Sequence, residues 1–464
     1  MHIRSTALVS AASALLALVA AAPAAAAPSD RPIAVTRGHD AQFTIQTSSS
    51  GESLLDLDVA APGVDWADKN ATSAVVSLYV DGRYDTDVVV TGSEPVARQF
   101  ALGSLSKGGH HLRLHFADDR SSPAATSVNV TGVRASTYAA GTDDGLALRY
   151  APVLYGRNLA ELGGPNESAT TDTPLIAWHE ATPASTPGHT VLTYSIVWSN
   201  EDGGTDTPAL MARWGRTTDI EWVYQLEVDQ NGDRVPGSDV YQAANHETLH
   251  FAGRYEGDHA VLETCTSNNN MCDTVDDPMR FFLSALQTRP ADQAREHLMD
   301  VNPWTYQVMA KEMIREGKIE PPTPDSAATP LVSDQRNYLY AVVKKTTNGA
   351  NGGSSWVGVA LGVTLANGST VYMSNHDVPS WSIQRDDPAA TTVELPPGTT
   401  ADDVVKVTAY RVVNGTDTGA TVDVTALQRG FLLGQDYLPQ QSFLSWSGDA
   451  RLSAAQPSAV LWTR

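Results

Sequence analysis

The chain has 464 residues, with 31 Lys and Arg against 53 Asp and Glu, a formal net charge of −22, 42% hydrophobic residues and only 18% charged ones. At roughly 100–200 residues per domain this length divides into about two to four units, and the acidity excludes a nucleic-acid binder, which needs clustered Lys and Arg against phosphates. Two cysteines exclude a disulfide scaffold and a four-cysteine zinc site, and the apolar content excludes wholesale disorder.

Residues 1–27 read MHIRSTALVSAASALLALVAAAPAAAA. Arg4 gives a positive start, an Ala/Leu/Val run follows, and A-x-A sites lie near Ala26 and Ala27. This predicts a secretory signal peptide and an extracellular protein. No later run is apolar for about 18 residues, which predicts no transmembrane segment. In an oxidising space Cys265 and Cys272 are expected to form a disulfide.

Residues 31–145 alternate as strands: AQFTIQT (41–47), LLDLDV (54–59), AVVSLYV (74–80), DTDVVVT (85–91) and HHLRLHF (110–116). Asp81-Gly82 and Gly108-Gly109 are the predicted turns. The spacing predicts an antiparallel sandwich of about one hundred residues. SLYVDGR followed by FALGSLSKGGHHLRLHF resembles jelly-roll carbohydrate-binding modules, which implies a jelly-roll fold and a glycan partner.

Residues 148–318 form a central β-rich part with dense Asp and Glu and both cysteines. TVLTYSIVWS (190–199), DIEWVYQLEVD (219–229) and HAVLETCTS (259–267) read as strands, with a turn at Asn231-Gly232. VNPWTYQVMAKEMIREG (301–317) reads as a helix ending at Gly317, with Lys311, Glu312, Arg315 and Glu316 on a solvated face. Residues 319–330 are Pro/Ser/Thr-rich and predict a linker, and 331–464 return to strands as a second sandwich, with a hairpin turn at 366–368. The fold class expected is mainly β: several antiparallel sandwiches with one helical appendage.

The sharpest motif is His246-Glu247-Thr248-Leu249-His250. On a helix the two histidines share a face and bind zinc while Glu247 polarises water. The segment resembles the metzincin zinc proteases, which implies zinc ligands His246, His250 and Glu256 and a secreted metalloendopeptidase. Read from Thr248, the same residues alternate as a strand, on which Glu247 points away from both histidines.

The second constellation is acidic. Glu201, Asp202 and Asp206 follow one strong strand, and Asp219 and Glu221 open the next. Such loops at one end of a sandwich bring carboxylates together for a hard cation or for acid–base work on a glycosidic bond. Candidate catalytic residues are Asp219, Glu221, His246, Glu247 and His250, and candidate cation ligands are Asp202, Asp206, Asp219 and Glu221. Trp198, Trp214 and Trp222 are candidate sugar platforms, and Arg213 and Arg216 candidate anion binders.

DIEWVYQLEVD, then HAVLETCTSNNNM, is similar in layout to the necrosis- and ethylene-inducing toxin sandwiches. That resemblance implies a divalent cation and a sphingolipid-linked sugar as ligands, with Asp219 and Glu221 on the family's acidic positions. The flanking histidines are absent, and Asn268-Asn269-Asn270 stand near the expected His.

Together these features predict a secreted, monomeric protein directed at polysaccharide or cell-surface glycan, degrading it or binding it without turnover, with zinc proteolysis as the rival. The cofactor admitted is a divalent cation, Ca2+, Mg2+ or Zn2+, and no organic group.

Overall fold

The computed structural model describes residues 32–157, 166–201, 206–322, 324 and 329–464. The predicted leader, Asp202 and part of the predicted linker lie outside the described residues.

The first part has eight strands: β1 (Ile33–Thr36), β2 (Ala41–Thr47), β3 (Gly51–Ala60), β4 (Ala74–Val80), β5 (Arg83–Val90), β6 (Val96–Leu105), β7 (Gly108–Phe116) and β8 (Ser127–Tyr138). They form two four-stranded sheets, ordered β1-β8-β3-β6 and β2-β7-β4-β5. Eight antiparallel strands shared in this way between two sheets make a jelly roll. Val76, Leu78, Phe100, Leu112 and Leu114 fill the space between the sheets.

Asp81 and Gly82, at φ 49° and 83°, make the predicted turn between β4 and β5. Gly108-Gly109 is not a turn: both residues lie in β7, and Ser106-Lys107 turn the chain. A Cβ on Gly109 would stand 2.9 Å from Gln46 Nε2 of β2, the far end of a side chain that can swing aside.

The central part holds a six-stranded sheet in the order Glu247–His250, Val240–Ala243, Ile220–Val228, Thr190–Trp198, Pro174–Pro183 and Gln287–Thr288. A smaller sheet runs Tyr255–Glu256, His259–Thr264, Val153–Tyr155 and Arg280–Phe281. One apolar core extends from the jelly roll into this part, through Phe100, Leu154, Trp178, Ile220 and Met309. The chain around Phe282 joins the two. Ala101 N donates to Phe282 O at 2.9 Å, and Phe282 N to Thr86 Oγ1 at 2.9 Å.

The predicted helix spans Trp304–Glu316 and ends at Gly317, whose φ of 72° a side chain would oppose. Its charged face is not solvated. Glu312 and Arg315 are 0% and 2% exposed. Glu312 accepts from Trp66 Nε1 and pairs with Arg315, which donates to Thr171 O at 2.6 Å. Glu316 accepts from Asn200 Nδ2 at 2.7 Å. The jelly roll covers this face from one side and the central sheet from the other, so the charges had to be paired inside.

Residues from Tyr338 onward form two further four-stranded sheets with a separate core around Leu339, Val357, Leu361 and Val422. Mainly antiparallel sandwiches with few helices are thus the architecture expected. Among the described residues no helix is long and apolar enough to cross a membrane.

Candidate functional site

The backbone of the H-E-x-x-H segment decides one reading. Val240–Ala243 and Glu247–His250 form an antiparallel hairpin, with Val240 opposite His250 and Ala243 opposite Glu247. Residues 244–246 turn the chain, with Asn245 and His246 at φ 58° and 61°. Asparagine accepts left-handed backbone more readily than most residues, so this turn beats a helix.

The zinc-protease reading falls with that geometry. His246 sits in the turn and His250 at a strand end, so no helical face carries both. Glu247 and His250 are exposed. Glu256 belongs elsewhere, bound to Arg254 at 2.7 Å and Arg280 at 2.9 Å.

The acidic constellation is brought together in part. Glu201 N donates to Thr217 O at 3.0 Å, and Trp198 N to Asp219 O at 2.9 Å. The ends of two paired strands thereby carry Glu201, Asp219 and Glu221 to one end of the six-stranded sheet. His246 arrives from the hairpin turn, its Nε2 3.6 Å from Glu221 Oε1 and 3.1 Å from Asn268 Nδ2. Asp206 is exposed and makes no capping bond to the helix Thr207–Trp214 that it precedes.

The asparagine run closes the centre from the other side. Asn269 Nδ2 donates to Asp219 Oδ2 at 3.0 Å and to Asn200 O at 3.1 Å. Its Oδ1 accepts from Arg157, which also pairs with Asp172. Cys265 and Cys272 form the expected disulfide, with Cα atoms 5.8 Å apart, and staple the loop that holds these asparagines. Loop closure removes freedom that the three side chains would otherwise spend.

Burial pushes the Asp219 carboxyl well above the usual carboxylate range, Glu201 and Glu221 push it the same way, and Arg216 and Asn269 pull it back. Burial also raises Glu201, with Glu221 adding to the rise and Arg216 and His246 opposing it. Asp219 and Glu201 are therefore coupled carboxyl groups that retain protons at higher pH than free ones. Asp219 is 1% exposed, whereas Glu201 and Glu221 are half-buried and His246 is exposed. Solvent and any substrate reach the last three.

Other expected binding residues sit differently. Trp198 is 1% exposed and belongs to the core, because its strand is central in the sheet. Arg216 is 2% exposed, bound through Nε to Glu296 Oε1 at 3.1 Å, and serves as the buried counter-charge of the acidic centre. Arg213 and Trp214 line a groove of about 510 Å3 shared with Arg385 and Asp386 of the last sandwich. The Arg385 guanidinium covers one face of Trp214 at 4.0 Å. Trp222 is half-buried on the strand that carries Glu221.

Oxygen donors of this kind suit a hard cation. Among the described residues, however, no group of three His, Cys, Asp or Glu side chains is arranged to hold a metal ion. Arg157 and Asp172, which orient Asn269, carried no signal in the sequence, since the residues they serve lie far along the chain.

No family model and no curated protein matches this chain. Among solved structures, the CBM36-1 domain of a multidomain xylanase from a Trinervitermes trinervoides hindgut metagenome is 18% identical over 23% of this chain and 77% of its own, with a TM-score of 0.18. The EclA C-terminal domain, a sugar-binding protein, is 16% identical over 26% of this chain and 84% of its own, with a TM-score of 0.17. A family two carbohydrate esterase from Clostridium thermocellum is 18% identical over 23% of this chain and 28% of its own, with a TM-score of 0.16. Each likeness spans about a quarter of this chain at a low score, so what the chain does has to be sought in its own side chains.

Proposed function

We propose that this protein is a glycan-directed acid–base catalyst whose centre is Glu201, Glu221 and His246, with Asp219 behind them. The observation that carries this reading is that Glu221 stands 3.6 Å from His246 Nε2 at the same sheet end as a second carboxyl, Glu201, which burial and the charge of Glu221 push above the usual carboxylate range. Cleaving a glycosidic bond needs that pair of roles. Glu201 gives its proton to the leaving oxygen as the C–O bond breaks. Glu221 takes one from the water that attacks the anomeric carbon. Asp219 does not touch substrate; it is buried behind them and bound to Asn269, which makes it a positioning residue. No step is routed through a metal ion, although a divalent cation remains testable at the same carboxylates.

The test is release of saturated reducing ends from xylan, mannan, chitin, pectate, alginate and peptidoglycan. Glu201→Gln and Glu221→Gln are each expected to lower turnover about 10²–10⁴-fold with the fold intact. Cleavage that survives both substitutions sinks the proposal. Binding to a polysaccharide without cleavage of any of them replaces it with a non-catalytic glycan binder.

A further inference from the structure

Trp214 ends the helix Thr207–Trp214, and four guanidinium groups gather round its ring. The Arg385 carbon stands 4.0 Å from the ring centroid, that of Arg295 5.5 Å, and those of Arg213 and Arg216 5.8 Å each. In a chain of net charge −22, such crowding of positive charge calls for a reason. Thr391 and Thr392 donate their hydroxyls to Ala212 O and Met211 O at 2.6 and 2.9 Å, which seats the helix end on the last sandwich. Along this seam runs the groove of about 510 Å3, a size within the roughly 300–1,000 Å3 range of small-molecule sites.

Among the described residues the positive charge is answered only in part. Glu296 takes Arg216 Nε at 3.1 Å. Burial pushes Glu296 up, and Arg216, Arg385 and Arg295 outweigh it, so this carboxyl stays ionised. Glu201 also feels Arg216 and Arg213, but burial holds it above the usual carboxylate range. Asp386 stands in the groove wall with its Oδ1 already accepting from Lys345 Nζ at 2.7 Å and Thr347 N at 3.0 Å. Arg295 donates to Ile220 O at 2.8 Å, and Arg385 to Arg213 O and to Ala390 O at 3.1 Å. Carbonyls orient a guanidinium and leave its full charge in place. Burial pushes Arg385 down to about 9, with Arg295, Arg216 and Arg213 adding to the fall and Glu296 opposing it. A negative charge entering the groove relieves that repulsion.

The groups that solvent reaches are the ones left to bind. Arg216 is 2% exposed and takes no ligand directly. Arg213 is half-buried in the groove wall, and among the described residues its guanidinium has no hydrogen-bond or ion-pair partner and no nitrogen sealed from solvent. Asn351 spends its oxygen on Val357 N at 2.6 Å, which leaves its NH2. The Gln384 side chain is half-buried beside it and bonds to no described residue. A planar donor fork next to two amides matches a carboxylate carried beside hydroxyls.

We propose that this groove binds a carboxylate-bearing sugar, the Arg213 guanidinium taking the carboxylate and the Asn351 and Gln384 amides the ring hydroxyls. The anion is read from the groove alone; that a sugar carries it rests on the glycan-directed reading above.

Saturation-transfer NMR titration with the methyl glycosides of glucuronic, galacturonic and mannuronic acid tests the site, each set against its methyl ester and its neutral hexoside. At least one uronoside is expected to bind at least about tenfold more tightly than both controls, as a charge-assisted hydrogen bond provides. Arg213→Met and Arg385→Met are each expected to weaken it at least about tenfold, and Arg213→Glu to abolish it. Should the Arg385 variant fail to fold, the Arg213 pair decides, since that side chain has no bond in the protein to lose. Absence of binding by all three uronosides, equal binding of an ester or neutral hexoside, or binding that survives Arg213→Glu overturns the proposal. Displacement of the uronoside by acetate or sulfate at equal concentration overturns the sugar and leaves a simple anion site. Polysaccharide cleavage is measured separately. Uronoside binding with no polysaccharide cleaved sinks the catalytic reading and leaves this groove standing, and cleavage without uronoside binding does the reverse.

Discussion

Arg157→Met is expected to destabilise the protein by about 3–5 kcal/mol, the cost of leaving a buried charge without its partner. Arg157 and Asp172 are 2% and 1% exposed and pair with each other. Burial pushes Asp172 up to about 6 while Arg157 pulls it down. Without Arg157 that carboxyl rises further. A carboxyl whose folded pKa lies above its unfolded one loses stability as pH rises through the folded value. The deficit of the variant should therefore be largest near about pH 8 and narrow toward about pH 5, where Asp172 is protonated in both proteins. Urea melts at the two pH values measure this. Arg157→Met with Asp172→Leu should recover most of the loss, because removing both charges leaves none stranded.

The same substitution should disturb the acidic centre, for a reason written in donor chemistry. Arginine only donates, so the Asn269 oxygen must face Arg157 and its NH2 must face Asp219. Remove the guanidinium and the Asn269 oxygen loses its donor, leaving the amide held from one side only, through its NH2 on Asp219 and Asn200 O. Equal stability of Arg157→Met and the wild protein would show that the buried pair contributes nothing.

How much of this was legible in the sequence depended on distance along the chain. Strands with clean alternation, such as Ala74–Val80 and Ile220–Val228, stand where their patterns place them. Val96–Leu105 escaped because Arg98 interrupts its apolar pattern, yet Arg98 is buried between Phe100 and Trp304 and donates to Val89 O and Leu175 O. The helix Trp304–Glu316 was legible, but its inward charges were not, since Glu312 finds its partner Trp66 in a different sandwich. A sequence pattern reports one element's faces; it does not report how many neighbours will cover them.

The candidate site divides along the same line. Asp219 and Glu221 were readable as an acidic strand opening, and the disulfide as a local staple. The histidines misled, because i and i+4 spacing is a helix signal and the turn at Asn245 lacks the glycine that marks most hairpins. His246 nevertheless reaches the centre, by the hairpin turn instead of a helix face.

Asp219→Asn is expected to act in opposite directions on stability and on turnover. Asp219 is buried beside Glu201 and Glu221, and burial with their charge holds its proton well above the usual range. Ionising it in the folded state is unfavourable, so it costs stability as pH rises. Asparagine has nearly the same shape, keeps an oxygen acceptor for Asn269 and carries no charge. The metal-free variant should be more stable than the wild protein by about 1–3 kcal/mol near about pH 8, with the gain fading toward about pH 4. Turnover should fall about 10²-fold at neutral pH, because the proton that Asp219 holds beside Glu201 is gone and Glu201 then titrates without its coupled neighbour, which moves its acid limb. A purely structural role would leave the pH profile in place and lower the whole curve. Calcium, magnesium and zinc, added one at a time after chelation, complete the test. A bound ion stabilises by about 2.7 kcal/mol at a hundredfold excess over its Kd and finds one ligand fewer in the variant, so it would reverse the order of the two melting temperatures. An unchanged order with all three ions assigns the difference between the two proteins to the proton that Asp219 holds beside Glu201.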